Sequence, residues 1–233
     1  MTAKLKATIT LLALNAALGS GAALAYEKGD IIVRAGIAKV DPDSSSSALF
    51  LDGTELPGTG VSVDSNEQLG LTGTYMLTSN VGIELLAATP YSHTVTAHGS
   101  VAGLGSIEGL EVADVKHLPP TLSVQYYPLG SDSKLLPYVG AGINYTIFFD
   151  EKLTSDFKGT PLGDGSIDLD NSIGLAFEIG FDYAVTDKIL VNAAVWNVYI
   201  DTEATIKLDA GSTIKTDVDI DPWVYMVGVG YKF

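Results

Sequence analysis

The stretch that most constrains this chain runs from 171 to 185. Ile173, Leu175, Phe177, Ile179, Phe181, Tyr183 and Val185 alternate with Gly174, Ala176, Glu178, Gly180 and Asp182. Period two marks a β-strand with two unlike faces. A soluble sheet turns its apolar face to a core and its polar face to water. In a soluble barrel of this pattern, the seven large apolar side chains would instead face water. A barrel in a bilayer reverses the sense: the apolar face meets lipid, and the small and polar face lines the lumen.

The pattern recurs along the chain and predicts an all-β fold, an eight-stranded antiparallel up-and-down transmembrane barrel. Strand one is 29–40, strand two 67–77, strand three 81–91, strand four about 114–127 and strand five about 135–149. Strand six is the segment above, and strand seven starts at Ile189 with Asn192, Ala194 and Trp196 inward. The last strand, WVYMVGVGYKF, puts Trp223, Tyr225, Val227, Val229, Tyr231 and Phe233 outward. Connections alternate long and short. The segments 41–65, 92–112, 150–168 and about 202–216 read as long polar loops, rich in Gly, Ser and Asp. Thr78-Ser79-Asn80, Pro128 to Lys134 and Thr186-Asp187-Lys188 read as short turns. That rhythm places turns at one rim and loops at the other. Tyr75, Tyr126, Tyr183 and Tyr231 all fall outward near the short-turn rim, half of an interfacial aromatic girdle.

Residues 1–25 read as a secretory signal: Lys4 and Lys6, a short apolar core, then Ala23-Leu24-Ala25 before the expected cleavage. Residues 26–233 are then a single barrel domain, exported by a Sec-type route to the outer membrane of a Gram-negative cell. The net charge of −15, more negative once Lys4 and Lys6 are lost, opposes nucleic-acid binding. Without cysteine there is neither a disulfide framework nor a thiolate metal site. No cofactor and no metal are expected, and monomer is the default. The terminal aromatic Phe233 matches the insertion signal by which such barrels engage the assembly machinery. Lipid and lipopolysaccharide are the expected surroundings.

Five segments, in order, resemble the outer-membrane protein W family, which includes relatives serving alkane uptake. They are LGLTGTYM (69–76), NVGIELLAATP (80–90), VKHLPPTLSVQYY (115–127), PYVGAGINYTIFFD (137–150) and DPWVYMVGVGYKF (221–233). The resemblance implies an eight-stranded outer-membrane channel that passes small hydrophobic molecules. The rival readings are a small ion or polar-solute pore, and a structural or receptor barrel acting through its loops.

The inward residues bear on that choice. Arg34, Glu84, Gln125, Asp182 and Lys232 lie low and mixed in charge. They read as a paired polar plug, with a selectivity ring as the alternative. Higher up, Leu86, Ala88, Trp196, Val224 and Met226 are apolar and read either as packing or as a cavity floored by Leu86 and Trp196. Pro90, Pro119 and Pro120 remove backbone donors from strands three and four. The result is a bulge or a gap in the wall, and the resemblance favours a gap used as a lateral exit. An enzyme is not expected: His93 and His98 have no acid at an orienting spacing in the sequence, and His117 sits at the top of strand four.

Overall fold

The computed structural model describes residues 26–129 and 133–233; the expected signal segment, 1–25, lies outside the described residues. Eight wall strands are present: β1 (Ile31–Asp41), β2 (Asn66–Met76), β3 (Val81–Ala88), β4 (Thr121–Tyr126), β5 (Leu135–Leu153), β6 (Ser172–Ala184), β7 (Ile189–Val198) and β8 (Trp223–Lys232). They pair antiparallel in the order β4-β3-β2-β1-β8-β7-β6-β5, and β4 pairs β5, so the sheet closes. Closure leaves no free edge in lipid. The seam between β1 and β8 runs from Ile32↔Lys232 to Asp41↔Trp223. Below it, the Phe233 N–H donates to the Ile31 carbonyl at 2.9 Å.

The alternation read from the sequence holds on every wall strand. On β6, Ile173, Leu175, Phe177, Ile179, Phe181 and Tyr183 are exposed, while Ala176, Glu178 and Asp182 are buried. The exposed face meets lipid. Tyr75, Tyr126, Tyr183, Tyr231 and Phe233 all lie outward, clustered by register at the short-turn end. A second belt, which the sequence reading did not claim, stands at the other end: Tyr145, Tyr199, Trp223 and Tyr225. Inward glycines clear space for large lumen side chains. A β-carbon on Gly180 would meet the Tyr138 ring, and one on Gly140 would meet the Glu178 carboxylate.

The long connections are not loops, and here the sequence reading is corrected. They continue the barrel outward as strands. Tyr91–His98, Leu110–Leu118 and Gly60–Val63 pair with one another and with the upper half of β5. Opposite them, Gly165–Leu169, Asp201–Leu208, Thr213–Asp219 and Leu49–Leu51 form a second sheet. Composition hid these strands: Ser, Gly and Asp dominate, but apolar residues still recur every second position. Ile206 and Leu208, and Ile214 and Val218, face inward between Lys207, Lys215 and Asp217. Two further boundaries shift. Strand three ends at Ala88 rather than 91, and the strand read as continuous from 114 to 127 is interrupted at Pro119 and Pro120.

Candidate functional site

The lower lumen is filled by one network around Arg34. Arg34 Nε donates to Asp182 Oδ1 at 2.9 Å, and Nη1 donates to Thr74 at 2.7 Å and Glu84 at 3.1 Å. Nη2 donates to the Tyr127 hydroxyl at 3.0 Å, and Tyr127 in turn donates to Gln125 Oε1 at 2.8 Å. Arg34, Glu84, Gln125 and Asp182 are all buried. A guanidinium fork suits this task because its five donors are fixed in a plane. These four, read from the sequence as one low inward set, meet around the Arg34 guanidinium and the Tyr127 hydroxyl. The sequence reading missed Tyr26, whose hydroxyl donates to Asp182 Oδ2 at 2.6 Å, and Asn192, which donates to both Asp182 and Tyr138. Lys232, the fifth of the low inward set, lies at the foot of the same lumen. It sits at the periplasmic mouth, 3.5 Å from Asp30, and is partly exposed. Lys232 is the last residue of β8, two residues below Gly230, which pairs with Arg34.

Above the plug, Trp196 pairs across the ladder with Glu178 and Val224, and Met226 with Ala194 and Ala38. Both Trp196 and Met226 are packed solid at 1% exposure. They do not line an open cavity, which corrects that part of the expected floor. Leu86, Ala88 and Val224 do line one, a vestibule of about 20 Å³ shared with Tyr91, His117 and Pro119. A larger apolar chamber, about 90 Å³, lies higher, enclosed by the outward extension. Leu51, Val63, Val95, Val112, Phe157 and Ile206 are among its walls. The sequence missed this chamber because its residues come from segments read as loops.

The vestibule reaches into the wall. Ala87 alternates outward, yet it lines the same space as Leu86 and Ala88. Here the ladder between strands three and four is broken. Thr121 still pairs with Leu86, and above the break His117 pairs with Tyr91. Between these points, Ala87 to Pro90 face Leu118 to Pro120 with no ladder pairs. The proline segment leans to the other side. Asn144 Nδ2 donates to the Pro119 carbonyl at 3.1 Å and Thr121 Oγ1 at 2.9 Å, and Tyr145 N–H donates to the Pro120 carbonyl at 3.0 Å. Pro119 and Pro120 lack the N–H groups that a ladder to β3 needs, and β5 holds their carbonyls.

The histidines also depart from the sequence reading, which found no acid to orient His93 or His98. The outward neighbours Thr94, Asp114, Lys116 and Asp150 are joined by polar contacts, so this level stands above the hydrocarbon. Lys116 and Lys152 hold the Asp150 carboxyl down to about 2. On the inner face, His93 Nδ1 lies 2.6 Å from the Asp64 carbonyl and His93 Nε2 lies 3.0 Å from His117 Nε2. Burial, with the neighbouring His93 adding to it, pushes His117 down to about 3. Burial lowers His93 too, against the opposing pull of Asp64. His98 Nε2 lies 2.7 Å from Ser62 Oγ, and His98 Nδ1 lies 3.0 Å from Glu108 Oε1. That order of contacts resembles a nucleophile, base and orienting acid. The chamber, however, is lined by their neighbours Val61, Ala97 and Ile107, on the other face of the sheet. The hydroxyl therefore faces no apolar pocket that would exclude water from a bound ester.

An apolar exterior between two aromatic belts, a closed ladder and a plugged lumen define a small outer-membrane β-barrel. The chain belongs to the OmpW family, whose model matches residues 27–233. It is 48% identical over 231 residues to outer membrane protein W of Vibrio cholerae serotype O1, covering 98% of this chain and 100% of that protein. The crystal structure of the outer membrane protein OprG from Pseudomonas aeruginosa superposes with a TM-score of 0.83 at 49% identity, covering 91% of this chain and 99% of that one. Outer membrane protein AlkL of Ectopseudomonas oleovorans is 26% identical over 208 residues, covering 89% of this chain and 84% of that protein. The protein is thus an outer-membrane protein of the Gram-negative type, in a family of outer-membrane barrels.

Proposed function

We propose that the protein carries small hydrophobic molecules past the lipopolysaccharide leaflet and releases them sideways into the membrane. A solute enters the apolar chamber, passes to the vestibule at Leu86, Ala88 and Val224, and leaves between β3 and β4 beside Pro90, Pro119 and Pro120. The observation that carries this reading is the vestibule's extension to Ala87, at the point where the ladder is broken. Going straight down is opposed by Trp196 and by the Arg34 network, whose charges an apolar solute cannot compensate. The resemblance to a family with alkane-uptake members points the same way.

Replacing Pro119 and Pro120 together with Val restores two backbone donors and adds β-branched side chains that favour pairing. Hydrophobic uptake by cells carrying the double variant should fall several-fold, while the barrel still resists heat and detergent like the parent. A well-folded variant with parental uptake would end the lateral route. The terminal strand is proposed to be what the assembly machinery reads. Removing Phe233 also removes the Ile31 contact below the seam and should lower the amount reaching the outer membrane without blocking export. Parental outer-membrane levels would refute that role.

A further inference from the structure

Along Tyr91–His98 the inward residues climb from Tyr91, in the vestibule, through His93 to Val95 and Ala97, in the chamber. Along Leu110–Leu118 they descend from Leu110 and Val112, in the chamber, to His117, in the vestibule. The His93–His117 pair therefore stands between two apolar cavities, packed by Tyr91 and Phe148. A solute moving from one to the other meets a polar step.

The protonation of that step follows from its partners. A backbone carbonyl only accepts, so the proton of His93 is on Nδ1, donated to the Asp64 carbonyl. A neutral His93 then has its lone pair on Nε2. The 3.0 Å contact between the two Nε2 atoms needs one proton, which His117 supplies. That leaves the lone pair of His117 on Nδ1, buried and without a hydrogen-bond partner. An orphaned buried acceptor beside a cavity is a site for a donor.

We propose that His117 is the specificity-determining residue of the route: its Nδ1 accepts a hydrogen bond from the solute. The favoured cargo is hydrophobic with one hydrogen-bond donor, such as a phenol or a long-chain primary alcohol, rather than a pure hydrocarbon. A site whose polar atom is paired only by the right solute discriminates against the analogue that lacks the group. This inference rests on the hydrophobic-uptake reading, and the test separates the two.

Uptake of radiolabelled dodecanol, dodecane and the methyl ketone of equal length is measured in cells with and without the protein, and with His117→Phe. Phenylalanine keeps an aromatic ring against Tyr91 and Phe148 but removes Nδ1. The protein-dependent uptake of dodecanol should exceed that of the alkane and the ketone by about tenfold. His117→Phe should remove that advantage, bringing dodecanol uptake down to the level of dodecane in the same variant. Equal loss for all three solutes, or no loss, would overturn the role of His117 while leaving hydrophobic uptake standing. If no solute enters faster with the protein than without it, both readings fall. Ring nitrogen-15 NMR of the unaltered protein gives a second readout that does not depend on folding of the variant. The Nδ1 signal should move on adding dodecanol and not on adding dodecane; an unmoved signal overturns the proposal.

Discussion

Arg34→Met is expected to lower the stability of the barrel by about 3–5 kcal/mol, the cost of breaking a buried ion pair by removing one partner. The reason lies in what remains. Asp182 and Glu84 accept from the guanidinium inside the lower lumen. Neither side chain can turn to water, since both are buried. Methionine fills much of the volume but offers no donor, so two carboxylates are left facing each other's field. Urea unfolding of the protein in vesicles measures the loss. Adding Asp182→Asn and Glu84→Gln should recover part of it, because the uncompensated charges are then gone. A loss below about 1 kcal/mol, the range of surface pairs, would show that the network is wet and exchangeable rather than a plug.

How much of this was legible in the sequence follows from what each residue faces. On the wall, one side chain in two meets lipid, and lipid accepts no charge, so the alternation is clean and strand six can be read at sight. The same logic put Arg34, Glu84, Gln125 and Asp182 at one low level, because inward position and height follow from counting along strands. Counting from the chain end likewise puts Lys232 inward at the foot of the lumen, where it lies 3.5 Å from Asp30. The outward extension has water on one side and an apolar chamber on the other. Its inward residues recur at period two, as at Ile214, Thr216 and Val218, but weakly among Asp, Ser and Lys. The His93–His117 contact was out of reach altogether. It depends on the register of Tyr91–His98 against Leu110–Leu118, which shifts between Glu111 and Ala113, and the sequence carries no sign of that irregularity. Pro119 and Pro120 were visible as missing donors. That they open the ladder towards β3 and stay tied to β5 is set by Asn144, a residue on another strand.

Phe177→Arg should cost about 2–4 kcal/mol, the penalty for a cation on the lipid face near the bilayer midplane. Phe177 stands outward on β6, six residues above Tyr183 of the periplasmic belt and four from Ile173 near the other end. Its cross-strand partners are Ala141 and Asn197, and its ring meets Tyr199 edge-on at 6.4 Å between centroids. Arginine at this depth has no acid within the outward set of β5, β6 or β7 to pair with. Asp168→Arg is the matched control. Asp168 is an exposed strand residue of the outward extension, so the same side chain there meets water and should change stability by no more than about 0.5 kcal/mol. Folding into vesicles, followed on heated and unheated gels, compares the two. If both substitutions cost the same, β6 is not facing lipid and the membrane depth assigned to this wall is wrong. If only Phe177→Arg is costly, the alternation on β6 reports the bilayer itself.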